Sequence, residues 1–185
     1  NPGVTATDAT SSSTIITGEA SSSFGSSVAV GDISGDGYAD VVAGASGNTS
    51  SAGWVYVFIS TGPAGVVGTD AASASTRITG EAASNSFGAS VATGDVNGDG
   101  YADVVAGAYG YSSNTGRVYV FHSTGSQGVT ATNAASASTR VTGEATTYFG
   151  RSVATGDVNG DGYADLVAGA DGYSGGTGRT YVFHS

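Results

Sequence analysis

The sequence repeats one long unit three times, and no other feature constrains the fold as tightly. Thr17–Ala20, Thr79–Ala82 and Thr142–Ala145 all read TGEA. A Phe-Gly pair follows each, at Phe24, Phe87 and Phe149, and then an Asp- and Gly-rich decamer beginning at Gly31, Gly94 and Gly156. VVAGA or LVAGA comes next, and each unit closes on an aromatic run ending at Phe58, Phe121 and Phe183. The spacing is 62 or 63 residues throughout, so the units fall at approximately 1–62, 63–125 and 126–185 and consume the chain as one repeat domain.

Within a unit, runs of Val, Thr, Tyr and Phe punctuated by glycine read as strands. Ser90–Thr93, Asp103–Ala108, Gly116–His122 and Thr139–Gly143, with their equivalents, are the predicted four. Good helix formers are scarce: Leu166 is the only leucine, and Met and Lys are absent. The chain is therefore expected to be all-β. Four antiparallel strands per unit at a fixed period is the arithmetic of β-propeller blades, whereas solenoids stack shorter repeats. The six Phe recur at fixed repeat positions and are expected to pack between blades. With no Met and with Asn at position 1, the chain reads as a processed or excised piece.

Charge and composition remove whole classes of function. Fifteen acidic residues face five basic ones, all Arg, for a net charge of −10. Without a basic stripe the chain is a poor partner for nucleic acid. No apolar run approaches the length of a membrane span. The absence of Cys excludes disulfides, zinc–thiolate sites and thiol nucleophiles.

Nine of the fifteen acids lie in three nine-residue loops, Asp32–Asp40, Asp95–Asp103 and Asp157–Asp165. Each loop places oxygen-bearing side chains at positions 1, 3, 5 and 9, with Gly at position 6. They are Asp32, Ser34, Asp36 and Asp40; Asp95, Asn97, Asp99 and Asp103; and Asp157, Asn159, Asp161 and Asp165. The carbonyls of Tyr38, Tyr101 and Tyr163 at position 7 complete the expected ligand set. Carboxylate, amide and carbonyl oxygens suit a hard cation, and calcium is the predicted ion at three sites. With no His or Cys in the loops, softer transition metals are disfavoured. An acid at position 9 rather than 12, between strands, separates these loops from EF-hands. A hairpin turn alone would explain one Asp-Gly pair, but not three loops sharing one ligand pattern.

The Phe-Gly pair, the DxNxDGxxD loop, VAGA and YVF together resemble the FG-GAP repeat of integrin α-subunit propellers, over essentially the whole chain. The proline of the third element is missing, since the equivalent triplets are Gly44-Ala45-Ser46, Gly107-Ala108-Tyr109 and Gly169-Ala170-Asp171. The resemblance implies secreted or extracellular, calcium-loaded, non-catalytic binding propellers, usually of seven blades. The close identity of the three units suggests recent duplication or a designed consensus.

In an up-and-down blade the calcium loops sit at one end. The opposite end gathers Ser46–Gly53, Tyr109–Gly116 and Asp171–Gly178 with the segments that follow each TGEA. Tyr109, Tyr111, Tyr148 and Tyr173 in these variable loops suggest a glycan or protein ligand; a purely structural scaffold with calcium as its only ligand is the alternative. Gly172–Gly176 formally matches G-x-S-x-G, but it lies in a loop and not in a strand-to-helix elbow, so no catalytic residue is expected. His122 and His184 are expected to be structural or surface residues. Glu19, Glu81 and Glu144 are expected to satisfy turn backbone, with Arg77 and Arg140 beside them. Asn48-Thr49-Ser50 is a glycosylation sequon. Thr14–Gly18 reads as an outer strand without a blade, and the last unit lacks its outer strand. Two chains are therefore expected to form a six-bladed ring; the alternative is three blades cut from a longer propeller and packed end to end in an open array.

Overall fold

A computed structural model describes residues 4, 7–47 and 51–185, so the sequon at 48–50 lies outside the described residues. Eleven strands form three antiparallel sheets. The first holds β1 (Phe24–Gly31), β2 (Asp40–Ala45), β3 (Trp54–Phe58) and β4 (Thr76–Thr79) in that order. The second repeats it with β5 (Ser90–Gly94), β6 (Asp103–Ala108), β7 (Arg117–Phe121) and β8 (Thr139–Thr142). The third has three strands, β9 (Ser152–Gly156), β10 (Asp165–Ala170) and β11 (Arg179–Phe183). The register is the same in each: Val41 faces Phe58, Val104 faces Phe121 and Leu166 faces Phe183 across their ladders. The predicted strands of the second unit are all present, within a residue or so at their ends.

The sheets stack in succession, with β1, β5 and β9 as the strands that meet. Alternation along each strand sends one row of side chains forward and one back. Val42, Val55, Val57 and Ile78 of the first sheet pack against Val104, Ala106, Tyr119 and Phe121 of the second. Val105, Val118 and Val120 meet Leu166, Ala168 and Phe149 of the third in the same way. β6 is buried along its whole length, which is why it reads as an unbroken apolar run rather than an alternating one. Four of the six Phe pack between blades, Phe87 and Phe121 in the first junction and Phe149 and Phe183 in the second, whereas Phe24 and Phe58 lie in a cluster of the first blade alone. Each Phe-Gly residue meets a Tyr edge-on, with ring centroids 5.3–5.4 Å apart.

Glycine makes this packing close enough. A Cβ at Gly44 would collide with the Gly88 carbonyl, and one at Gly107 with the Gly150 carbonyl. A wider chain at either position would separate the blades.

One expectation fails. Thr14–Gly18 is not a strand; only Thr17 makes an isolated bridge, parallel to Asp70. Its equivalents β4 and β8 lie along β3 and β7. Among the described residues, 14–18 have no such neighbour, and a strand needs a ladder partner. The three blades do not themselves close a ring.

Candidate metal centre and the opposite loop face

The three acidic loops join β1 to β2, β5 to β6 and β9 to β10. In the first, Asp32 at position 1 draws the loop around its own carboxylate: Oδ1 accepts from the Gly35 and Asp36 amides and Oδ2 from Gly37. Asp95 and Asp157 repeat the arrangement residue for residue. Gly37, Gly100 and Gly162 have φ of 87° to 93°, which a side-chain-bearing residue adopts only with strain.

Position 9 clamps the loop to its blade. Asp40 is fully buried; its Oδ2 accepts from the Ile33 and Ser34 amides and its Oδ1 from Ser60. Asp103 and Asp165 do the same with Ser123 and Ser185. These serines open the connection after the third strand, so that connection lies at the same end as the acidic loops. Burial raises the Asp103 carboxyl above its ordinary value. At Asp165 burial also pushes upward, but the Ser185 amide, the His184 ring and the Val158 amide outweigh it and hold the group at about 2. His184 Nδ1 is 3.1 Å from Asp165 Oδ2, a contact that sequence reasoning missed because the two are 19 residues apart and meet only across the β10–β11 ladder. His122, by contrast, is tied by its amide to Ser138 Oγ.

Positions 3 and 5 are less committed. Asp36 and its equivalents Asp99 and Asp161 accept from the Tyr38, Tyr101 and Tyr163 amides. Asn97 and Asn159 donate to the Asp99 and Asp161 carboxylates at 2.9 and 2.7 Å. Ser34 Oγ is buried and has no hydrogen-bond partner. Among the described residues no three acidic or His side chains stand close enough together to hold a metal. Each loop therefore brings its acids into one turn, while their oxygens are engaged with backbone amides.

The tyrosines have a role that the repeat pattern did not disclose. The Tyr101 ring lies over Gly35, and the Tyr163 ring over Gly98. Each tyrosine reaches back onto the acidic loop of the preceding blade, and a Cβ on either glycine would strike it. The Ala102 amide donates to the Asp32 carbonyl and the Ala164 amide to the Asp95 carbonyl, both at 2.9 Å. A signal existed in the invariant Gly at position 4, but a turn explains it equally well.

At the opposite end the remaining loops meet as expected: the Gly110 amide bonds the Asn85 carbonyl, and Tyr148 the Asn114 carbonyl. The tyrosines there are half-buried under arginine rather than exposed. The Arg117 guanidinium lies 3.7 Å from the Tyr111 ring centre and Arg179 3.5 Å from Tyr173. Arg151 lies over both Tyr109 and Tyr148. Glu19, Glu81 and Glu144 use their side chains on these groups instead of on turn backbone. Arg77, Arg117 and Arg179 approach them at 3.2, 3.5 and 2.9 Å, and Arg140 lies 3.7 Å from Glu81. Tyr56 and Tyr181 donate to Glu19 and Glu144, and burial with the Glu19 charge pushes Tyr56 up to about 12. Ser174 of the G-x-S-x-G match sits in the β10–β11 loop.

Backbone strain is confined to this end. All eleven non-glycine residues with positive φ among the described residues lie in these loops, including the run Ser112, Ser113 and Asn114 at 48°, 56° and 69°. At the acidic end only glycines adopt such angles.

A model of the FG-GAP repeat matches residues 24–58, 87–121 and 149–183. Integrin alpha-X of Mus musculus is 40% identical over 88 residues, 46% of this chain and 8% of the relative. Integrin alpha-6 of Gallus gallus is 36% identical over 114 residues, 57% of this chain and 10% of the relative. Integrin alpha-7 of Mus musculus is 36% identical over 112 residues, 58% of this chain and 9% of the relative. The chain thus spans about a tenth of the length of the relatives it matches.

Proposed function

Because the chain belongs to the FG-GAP repeat family, we propose that it is an extracellular, calcium-stabilised module that binds a glycan or protein ligand on the face opposite its acidic loops. The strained backbone of that face carries the binding reading. Left-handed Ser, Thr, Asn and Tyr residues each cost of order 1 kcal/mol or more and gather where strain serves recognition. The Arg–Tyr pairs among them offer planar cations and aromatic surface to sugar hydroxyls or to a protein.

Calcium is supported by the donor chemistry. Every side chain at positions 1, 3, 5 and 9 offers oxygen, and the buried Ser34 Oγ has no partner within the protein. Asp32, Ser34, Asp36, Asp40 and the Tyr38 carbonyl would hold the first ion. Asp95, Asn97, Asp99, Asp103 and the Tyr101 carbonyl would hold the second; Asp157, Asn159, Asp161, Asp165 and the Tyr163 carbonyl the third. Bound calcium, at +2, would offset most of the charge of three carboxylates that otherwise repel within one turn. Asp32 Oδ2, Asp36 Oδ1 and Asp40 Oδ1 each accept one amide and retain a lone pair for a cation.

Binding to a glycan array and to extracellular-matrix proteins, with calcium and with chelator, tests the function. Arg151→Ala, at an exposed guanidinium over Tyr109 and Tyr148, is expected to weaken binding at least tenfold while leaving the melting temperature nearly unchanged. A protein that calcium stabilises but that binds no glycan or matrix protein would be a structural scaffold instead, the reading that the near-identity of the units favours.

A further inference from the structure

The structure contains the same blade junction twice and carries its two unjoined halves at opposite ends. We propose that two copies of this 185-residue chain dock head to tail through these halves, forming a closed ring of six blades.

The tail half is a set of open sockets on the third blade. Gly31 is met by Ala102 Cβ at 2.9 Å and Gly94 by Ala164 Cβ at 2.9 Å, yet the equivalent Gly156 has nothing within 4 Å. Gly35 and Gly98 lie under tyrosine rings, while Gly160 is open. Gly53 and Gly116 are paired with Phe87 and Phe149. Their equivalent Gly178 borders a cleft of about 620 Å³ beside Arg151 and Arg179, with no preceding or following Phe in it. Val158 and Val182, at the positions of the buried Ile33 and Val57, are 59% and 46% exposed.

The head half carries what those sockets take. Tyr38 and Ala39 stand at the positions of Tyr101 and Ala102, and Phe24 at that of Phe87. Val28 and Val30, on the face that Val91 buries in the second blade, are 66% and 64% exposed. The segment before β1 completes the match. Asp8 caps a turn at Ala9–Ser11 as Asp70 caps Ala71–Ser73 and Asn133 caps Ala134–Ser136. Residues 14–17, Thr-Ile-Ile-Thr, correspond to the Thr-Arg-Ile-Thr of β4. Thr17 bridges Asp70 as Thr79 bridges Asn133, so Thr142 is left to bridge Asp8 of a second copy. That register lays residues 14–17 of the second copy along β11, whose outer edge is unpaired. Each chain then supplies the fourth strand that the other's last blade lacks.

One bond of the template is lost. Thr93 Oγ1 donates to the Val30 carbonyl and Thr155 Oγ1 to the Thr93 carbonyl, both at 2.6 Å. Val30 has no hydroxyl to offer Thr155 of the second copy and contributes apolar contact instead. Closure follows from counting. Propellers hold about four to eight blades, and six is the only multiple of three in that range. Head-to-tail contacts that fail to close would instead grow filaments.

Sedimentation and light scattering on the 185-residue chain in calcium-containing buffer are expected to give twice the chain mass. A Cβ on Gly156 has nothing within 4 Å, so Gly156→Leu is expected to keep the circular dichroism of the parent and yield a monomer. The chain has no native Cys, so Thr14→Cys with Val182→Cys provides an independent reading. These positions correspond to the facing pair Thr76 and Val57, close enough in an antiparallel ladder for a disulfide. Oxidation is expected to give one covalent dimer containing both bonds. A monomeric parent, a Gly156→Leu variant that remains dimeric, or a ladder of higher oligomers from the double-cysteine chain would each overturn the ring.

Discussion

At the residue scale the acidic loops serve two masters, the ion they are proposed to hold and the blade behind them. Gly35 and Gly37 separate the two roles. Both have positive φ, 73° and 87°, so Ala at either costs about 1 kcal/mol of backbone strain. Only at Gly35 would the new methyl also strike the Tyr101 ring. Measured without calcium, Gly35→Ala is expected to destabilise by about 1–3 kcal/mol more than Gly37→Ala, the typical cost of overpacking. Equal losses in urea melts would mean that the tyrosine does not rest on the preceding loop. Asp40 is the second test. Its carboxylate is fully buried and takes three backbone amides. Asp40→Ala leaves those donors without their acceptor, at about 1–3 kcal/mol for each one that stays buried and unpaired. A loss above 3 kcal/mol is expected in chelator, where no metal contributes; a loss under 1 kcal/mol would show that water replaces the carboxylate freely. The oxygen-bearing side chains at positions 1, 3, 5 and 9 were legible in the sequence because the loop repeats. The clamp and the tyrosine lock were not, because both depend on which groups lie across a junction between units.

At the scale of elements, the strands follow directly from residue order, and the exceptions have physical causes. β6 and β7 could be read to within a residue because Gly on either side stops an apolar run. Residues 14–18 differ from β4 and the glycine after it only in Ile15 for Arg77 and still form no strand, since strand character is conferred by the neighbouring β3-type strand and not by propensity. The glutamates of TGEA illustrate the same limit. Recurrence marked them as structural, but their partners, Tyr56, Tyr181 and several arginines, come from a strand 25 or more residues later and could not be read locally. Burial within a blade also sets its local stability. β6 is bonded on both edges and buried throughout, while β8 has one bonded edge and is mostly exposed. Amide exchange is expected to be slowest in Val104–Gly107 and at least a hundredfold faster in β8, because opening an outer strand costs less than opening the blade. Uniform exchange across the four strands would mean that the blade opens only as a whole.

At the scale of the whole molecule, the charge of −10 and the three acidic loops lead us to expect that stability depends on calcium. Nine carboxylates concentrated at one end of the stack repel one another, and each ion of charge +2 relieves one loop. A ligand that binds only the folded state stabilises it by RT ln(1 + [L]/Kd), about 2.7 kcal/mol per site at a hundredfold excess over Kd. Three sites make that sum comparable with the total stability of an ordinary domain, about 5–15 kcal/mol. Chelation is therefore expected to lower the melting temperature by more than ten degrees. Calcium is expected to restore it, and magnesium to restore it poorly, because magnesium demands a smaller octahedral shell and keeps its water. Titration calorimetry is expected to count three ions per chain, and Asp99→Ala to reduce the count to two while the other loops still fill. Loss of all three ions in that variant would mean that the blades order as one cooperative unit. A melting curve unmoved by chelator would remove calcium from the account, leaving the amide-wrapped aspartates as turn supports alone.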